Sequence, residues 1–159
     1  MLSKSTSFYT EYVFRHRTEG QYMQSYLSYS LALTHRKVNT SLTIRLKALG
    51  VQVEAWRVME LLNTQNDLTM GELAKLALMN PPTLSKLVDR MVGDGIVHRL
   101  VGNNDQREVN LVLTDLGYKR IHQMQEQAKN EDDDIYQRIG SEKAKILNSI
   151  LTEIASSYD

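Results

Sequence analysis

The 159-residue chain contains no cysteine, which excludes disulfides, thiolate nucleophiles and cysteine-based redox sensing. It has no run of about 18 apolar residues, so no membrane-spanning helix is expected. Its first residues, Met1-Leu2-Ser3-Lys4-Ser5-Thr6-Ser7, lead into no apolar core of the kind a secretory signal needs, and a cytoplasmic location is the expectation. Glycine is sparse and forms no phosphate-cradling loop. The four histidines (His16, His35, His98 and His122) show no metal-ligand spacing such as His-x-x-x-His. No serine stands in a Gly-x-Ser-x-Gly elbow. The sequence therefore calls for no catalytic residue, metal or cofactor, and an enzyme is not expected.

Net charge is lacking too, with 19 Lys and Arg against 19 Asp and Glu. Bulk charge alone does not favour a nucleic-acid partner. The distribution is uneven. Residues 1–57 carry eight basic and three acidic side chains, whereas residues 115–159 carry six basic and nine acidic ones. The acidic excess is concentrated in Glu131-Asp132-Asp133-Asp134, which reads as a solvated helix face or loop. The length suits one domain, or one small domain with helical extensions.

Proline occurs only as Pro81-Pro82, and the most informative stretch surrounds that pair. The prolines sit where a helix needs no amide hydrogens. Asn80 can cap the same helix, because its side-chain oxygen can accept from first-turn amides. Leu84, Leu87, Val88 and Met91 then share one face at helical spacing, leaving Thr83, Lys86, Asp89 and Arg90 outward. Just upstream, Thr69 and Glu72 form a capping box flanked by the staple residues Leu68 and Leu73. The short helix they start is expected to bury Leu73, Leu76 and Ala77 and to end near Met79. Two short helices with a tight break between them have the spacing of a helix-turn-helix. Gly93-Asp94-Gly95 ends the second helix, and residues 96–101 read as a strand. A turn-rich tip at 102–107 and a second strand through Val109, Leu111 and Leu113 complete a β-hairpin, which in this position is a wing.

Long helices flank this unit. Residues 20–48 read as one helix with two apolar stripes: Tyr22, Tyr26, Tyr29 and Leu33 on one side, Met23, Leu27, Leu31, Val38 and Leu42 on another. One stripe suffices to pack a helix on its own domain, so two call either for a second chain or for a central place in a larger monomeric bundle, and with so few further helices to surround it the second chain is the favoured reading. Val53, Trp56, Val58, Met59, Leu61 and Leu62 mark a buried helix after Gly50. Thr114 can cap a helix with Leu113 and Tyr118 as its staple. That helix continues through Ile121, Met124 and Ala128 to a stop at Gly140. Ser141 can cap a last helix, whose regular stripe of Ile146, Leu147, Ile150, Leu151 and Ile154 should be buried. Phe8, Tyr9, Tyr12 and Phe14 are too aromatic for a disordered tail. What residues 1–19 do is not legible.

Three pieces of this order resemble the MarR family of winged helix-turn-helix transcription regulators. They are Leu84-Ser85-Lys86-Leu87-Val88-Asp89-Arg90-Met91 with Gly95-Ile96-Val97, then Asp105-Gln106-Arg107, then Leu113-Thr114-Asp115-Leu116-Gly117. Singly each is weak; in this order and spacing they are specific, and the likeness covers about residues 20–157. It implies a mainly α fold with a small β-hairpin wing. Residues 49–117 would be the winged helix-turn-helix DNA-binding domain, and residues 1–48 and 118–159 a helical dimerisation region.

In a helix-turn-helix the N-terminal half of the second helix meets base edges. Pro82, Thr83 and Lys86 are expected to face the major groove, with Lys86 able to donate to guanine and the Thr83 methyl suited to thymine. Ser85 either reaches a phosphate or faces the first helix, and Arg90 is placed for a phosphate. Arg107 suits a narrow A/T-rich minor groove. Asn103 and Asn104 suit the turn and backbone contact. Asp105, by the resemblance, holds an arginine of the wing or recognition helix, and Arg99 is either its partner or a phosphate contact. Two-fold symmetry would place two such helices about one DNA turn apart on a pseudo-palindromic operator.

The resemblance also implies a small aromatic or anionic effector, for which Tyr26, Tyr29, Arg36 and Trp56 are the residues to inspect. For these four, core or dimer interface is the stronger reading. The expected function is a homodimeric operator-binding regulator, with repression as the expected mode. The rival is a winged-helix adaptor or antagonist that binds protein, favoured by the neutral balance of five basic and five acidic residues over 68–114.

Overall fold

The computed structural model describes residues 25–65, 68–101 and 109–158. The aromatic stretch 1–19, Gly20, Tyr22, Met23 and the hairpin tip with Asn103, Asn104, Asp105 and Arg107 lie outside the described residues. The chain divides into two compact units, residues 1–40 and 41–159. The described elements run α1 (Leu27–Lys47), α2 (Val53–Thr64), α3 (Met70–Leu76), α4 (Pro81–Gly93), β1 (Val97–Val101), β2 (Val109–Leu113), α5 (Asp115–Ile139) and α6 (Ser141–Ser156). The strands pair antiparallel, Val97 opposite Leu113 and Val101 opposite Val109. The architecture is thus mainly helical with one two-stranded hairpin, as the sequence indicated.

In the first unit the described residues form the start of α1. Tyr29, Leu31, Leu33 and Val38 are half-buried there, and Tyr26 and Leu27 are exposed. Leu46, near the far end of α1, is that helix's one buried residue. Leu42, further along the second stripe, is half-buried against the core of the second unit.

The second unit holds the core. Leu46, Val58, Met59, Leu73, Leu84, Val88, Leu111, Ile121 and Met124 are all but fully removed from solvent. They come from α1, α2, α3, α4, β2 and α5, so the helix-turn-helix is clamped from several sides. Of the apolar positions expected inside α2, Trp56 and Leu61 are half-buried and Val53, Val58, Met59 and Leu62 buried.

The chain stops its helices in a repeated way. After α3, the Met79 amide donates to the Ala74 carbonyl (3.0 Å) and the Leu78 amide to the Lys75 carbonyl (3.2 Å). This crossed pair is a Schellman closure, which needs a left-handed residue at its corner. The corner is Leu78, with φ +56°. Equivalent pairs close α1 (Gly50 to Lys47, Val51 to Leu46) and α4 (Gly95 to Val92, Ile96 to Met91). There the corners are glycines, each at φ +69°. A left-handed corner costs an L-residue about 1–2 kcal/mol that glycine does not incur. The closure ends α3 at Leu76 rather than near Met79. It leaves Leu76 exposed and puts Ala74 inside instead, a correction to the expected inward set.

Three further expectations are overturned in α5 and α6. Ser141 does not cap α6; Gly140, at φ +86°, is the N-cap and makes no side-chain bond, because the glycine corner that stops α5 starts the next helix directly. The α6 stripe is not buried within the chain: Ile146, Leu147, Ile150 and Leu151 are exposed and Ile154 half-buried. The acidic run is not simply a solvated face. Glu131 is 7 % exposed, accepting from the Ser41 hydroxyl (2.7 Å) and the Arg45 Nε (2.8 Å). Arg45 also bonds Asp134, and Lys129 pairs with Asp133 at 2.7 Å. The Glu131 bond is the foremost cause holding the Arg45 guanidinium above its ordinary pKa. Residues 86 to 90 positions apart make this clamp, so no local pattern announced it.

Candidate nucleic-acid interface

The candidate surface starts at two caps, one on α3 and one on α4. Thr69 accepts from the Glu72 amide (3.3 Å), and the Glu72 carboxylate accepts from the Thr69 amide (2.9 Å), closing the expected box on α3. Leu68 and Leu73 beside it are buried. The bond from the Thr69 amide, followed by that from its hydroxyl, holds the Glu72 carboxyl below its ordinary pKa. On α4, the Asn80 Oδ1 accepts from the Thr83 amide (2.9 Å), with both prolines in the first turn. Leu84, Leu87, Val88 and Met91 are buried, while Thr83, Lys86, Asp89 and Arg90 are exposed. Burying the apolar stripe fixes the helix, and the same rotation sets its polar face outward.

The site residues divide by what holds them. Pro82, Thr83 and Lys86 present an exposed N-terminal half of α4, and Ser85 beside them is half-buried. Arg90 donates to the Gln52 Oε1 (3.3 Å) at a cleft of about 190 Å³ that Met59, Leu87, Asp94 and Arg120 also line. Arg99, on β1, donates to the Asp89 carboxylate, so β1 and α4 are linked by an ion pair. The sequence reading had offered Asp105 or a phosphate as the partner of Arg99. It missed both the role of Asp89 and that of Arg57, which donates to the Ala77 carbonyl at 2.9 Å. A cation at that place also suits the negative end of α3. Neither pair has a local spacing that would reveal it.

The hairpin is tied to the exit of α4 at its base. The Thr114 hydroxyl donates to the Gly95 carbonyl (2.7 Å) and accepts from the Gly117 amide (3.0 Å), and the Thr114 amide donates to the Ile96 carbonyl (3.0 Å). One threonine therefore caps α5 and fastens it to the exit of α4. Tyr118, the expected staple partner of Leu113, stays exposed.

Of the effector candidates, Tyr26 and Arg36 are exposed and Tyr29 half-buried in the first unit. Trp56, in the second, is half-buried, and its indole Nε1 is buried with no hydrogen-bond partner. Among the described residues no group of three or more His, Asp or Glu could hold a metal. Nor is any described helix long and apolar enough to cross a membrane.

Comparison with known proteins bears on this frame. The MarR family model matches residues 52–109. The HTH-type transcriptional regulator FarR of Neisseria gonorrhoeae is 32 % identical over 114 residues, covering 72 % of this chain and 78 % of FarR. The crystal structure of NadR in complex with 4-hydroxyphenylacetate superposes with a TM-score of 0.73 at 29 % identity, covering 82 % of this chain and 93 % of NadR. The transcriptional repressor CouR, bound to a 23-mer DNA duplex, shares the fold with a TM-score of 0.80 at 21 % identity, over 87 % of this chain and 98 % of CouR. With the helix-turn-helix and the first strand of the hairpin inside the residues that the family model matches, and FarR 32 % identical over most of its length, the chain belongs to the MarR family of winged helix-turn-helix transcription regulators.

Proposed function

We propose that this regulator is a homodimeric repressor that binds a pseudo-palindromic operator through α4 and the wing. The family is one of regulators and not of enzymes. The observation that carries the reading is the exposed Thr83–Lys86–Arg90 face of a doubly capped helix, backed by a fully buried opposite face and followed at once by a hairpin. That combination presents donors and a methyl at the depth a major groove admits. Pro82, Thr83, Ser85 and Lys86 read or flank base edges. Arg90, Arg99, Asn103 and Arg107, with Asp105 positioning, serve backbone and minor groove. CouR supports the mode by its fold and its bound duplex.

The dimer reading rests on the last helix. The exposed Ile146, Leu147, Ile150 and Leu151 form an apolar row that one chain leaves uncovered, and a row of that kind marks an association surface. On this basis residues 1–48 and 118–159 form the dimerisation region and 49–117 the DNA-binding domain. An effector that accepts a hydrogen bond from Trp56 Nε1, such as an aromatic acid, would satisfy a donor the chain leaves bare. NadR, with its 4-hydroxyphenylacetate, supports that class.

The test is selection of bound sites from random duplex, followed by competition with random DNA. A pseudo-palindrome with half-sites one helical turn apart is expected. Lys86→Ala should relax sequence preference at one position per half-site, whereas Arg107→Ala should weaken binding to all sequences. Enrichment of no sequence, or indifference to both substitutions, would return α4 to the role of a scaffold helix.

A further inference from the structure

Leu78 combines two unfavourable features. It is the one non-glycine residue with positive φ among the described residues, and its side chain is 81 % exposed. The same helix closure is made at α1 and α4 with Gly50 and Gly95 at the corner, so the turn's hydrogen bonds do not call for a side chain at position 78. Glycine would close it without steric conflict. Leucine gains little burial in return within the chain. Strained backbone that brings no internal contact concentrates where a ligand is gripped.

The position says which ligand. Leu78 lies in the turn of the helix-turn-helix, two residues before the Asn80 cap, and so at the same end of α4 as Pro82 and Thr83. Whatever occupies the face of that first turn lies beside this leucine. We propose that Leu78 is an apolar DNA contact and a specificity-determining residue of the interface, an inference that rests on the DNA-binding reading above. Its isobutyl group closes on the apolar surface that a duplex offers at the groove edge, a deoxyribose or a thymine C5 methyl.

The experiment compares wild type, Leu78→Gly and Leu78→Met on the duplex that wild type enriches from random DNA, with melting temperatures measured alongside. Leu78→Gly is expected to melt higher than wild type and yet to bind about tenfold more weakly, roughly 1.4 kcal/mol. Leu78→Met should stay within about twofold of wild type. Replacing thymines by deoxyuridine one at a time should locate any methyl contact, as a position that weakens wild type and leaves Leu78→Gly unchanged. Equal affinity of Leu78→Gly and wild type would overturn the contact and leave the DNA reading standing. A lower melting temperature for Leu78→Gly would overturn the strain on which the argument is built. A wild type that enriches no sequence would overturn this inference and the DNA reading together.

Discussion

Gly117→Ala is a severe test of how the wing is fastened. Gly117 lies in the first turn of α5 with no unusual backbone angle, so conformational freedom is not what it supplies. A Cβ built there would stand 2.4 Å from the Ile96 carbonyl oxygen and 3.2 Å from Leu113 side-chain carbons. A carbon and a carbonyl oxygen tolerate about 3.3 Å. The new methyl must therefore displace its neighbour by roughly 0.9 Å. Ile96 O cannot yield freely, because it accepts from the Thr114 amide at 3.0 Å. Overpacking of this kind costs about 3 kcal/mol, offset by up to ~1 kcal/mol from alanine's better helix propensity. The net loss is about 2 kcal/mol, or roughly 4–8 °C in melting temperature for a chain of this size. Gly93→Ala is the internal control: its Cβ would meet nothing within 4 Å, and its melting point should match or slightly exceed wild type. Both variants and wild type should be melted at one protomer concentration, since association raises apparent stability. If Gly117→Ala melts within 2 °C of wild type (about half the smallest expected shift), the close approach is not a constraint on the junction.

Two further outcomes follow from the described side chains. Ile150→Glu should leave helical content unchanged but give a monomer by sedimentation; a dimer that survives would move the interface off the α6 stripe. The Thr69–Glu72 box has a signed pH dependence. Because the folded-state pKa of Glu72 is depressed from 4.5, its stabilisation is present above that value and lost as pH falls through the lower folded one. The stability gap between wild type and Glu72→Gln should therefore narrow on acidification, and a gap that widens would contradict the box.

The recognition helix was legible from the sequence because its determinants are local. A cap, two prolines and a four-residue stripe all lie within twelve positions, and each was found where the spacing put it. The Thr69 box and the Thr114 cap were readable for the same reason. What escaped depends on residues far apart in the chain. Glu131 looked like one acid in a solvated run until Ser41 and Arg45 met it. Asp89 looked like one more outward residue of its helix until Arg99 paired with it. Ser141 had the right chemistry for a cap, but the backbone had already turned at Gly140. The left-handed Leu78 was hidden differently: leucine is among the last residues a sequence reader would place there.

The Asp89–Arg99 pair also bears on ionic strength. Each phosphate neutralised by a protein cation releases bound counterions, so log affinity falls with log salt by roughly 0.9 per such contact on duplex DNA. Arg99 meets any duplex with its charge already matched by Asp89. Arg90, by contrast, is held by the uncharged Gln52 amide. A salt titration of the complex should therefore return a slope smaller than the number of arginines and lysines at the interface. Asp89→Asn should steepen it by about one per protomer, as Arg99 becomes a cation that the phosphates alone must neutralise.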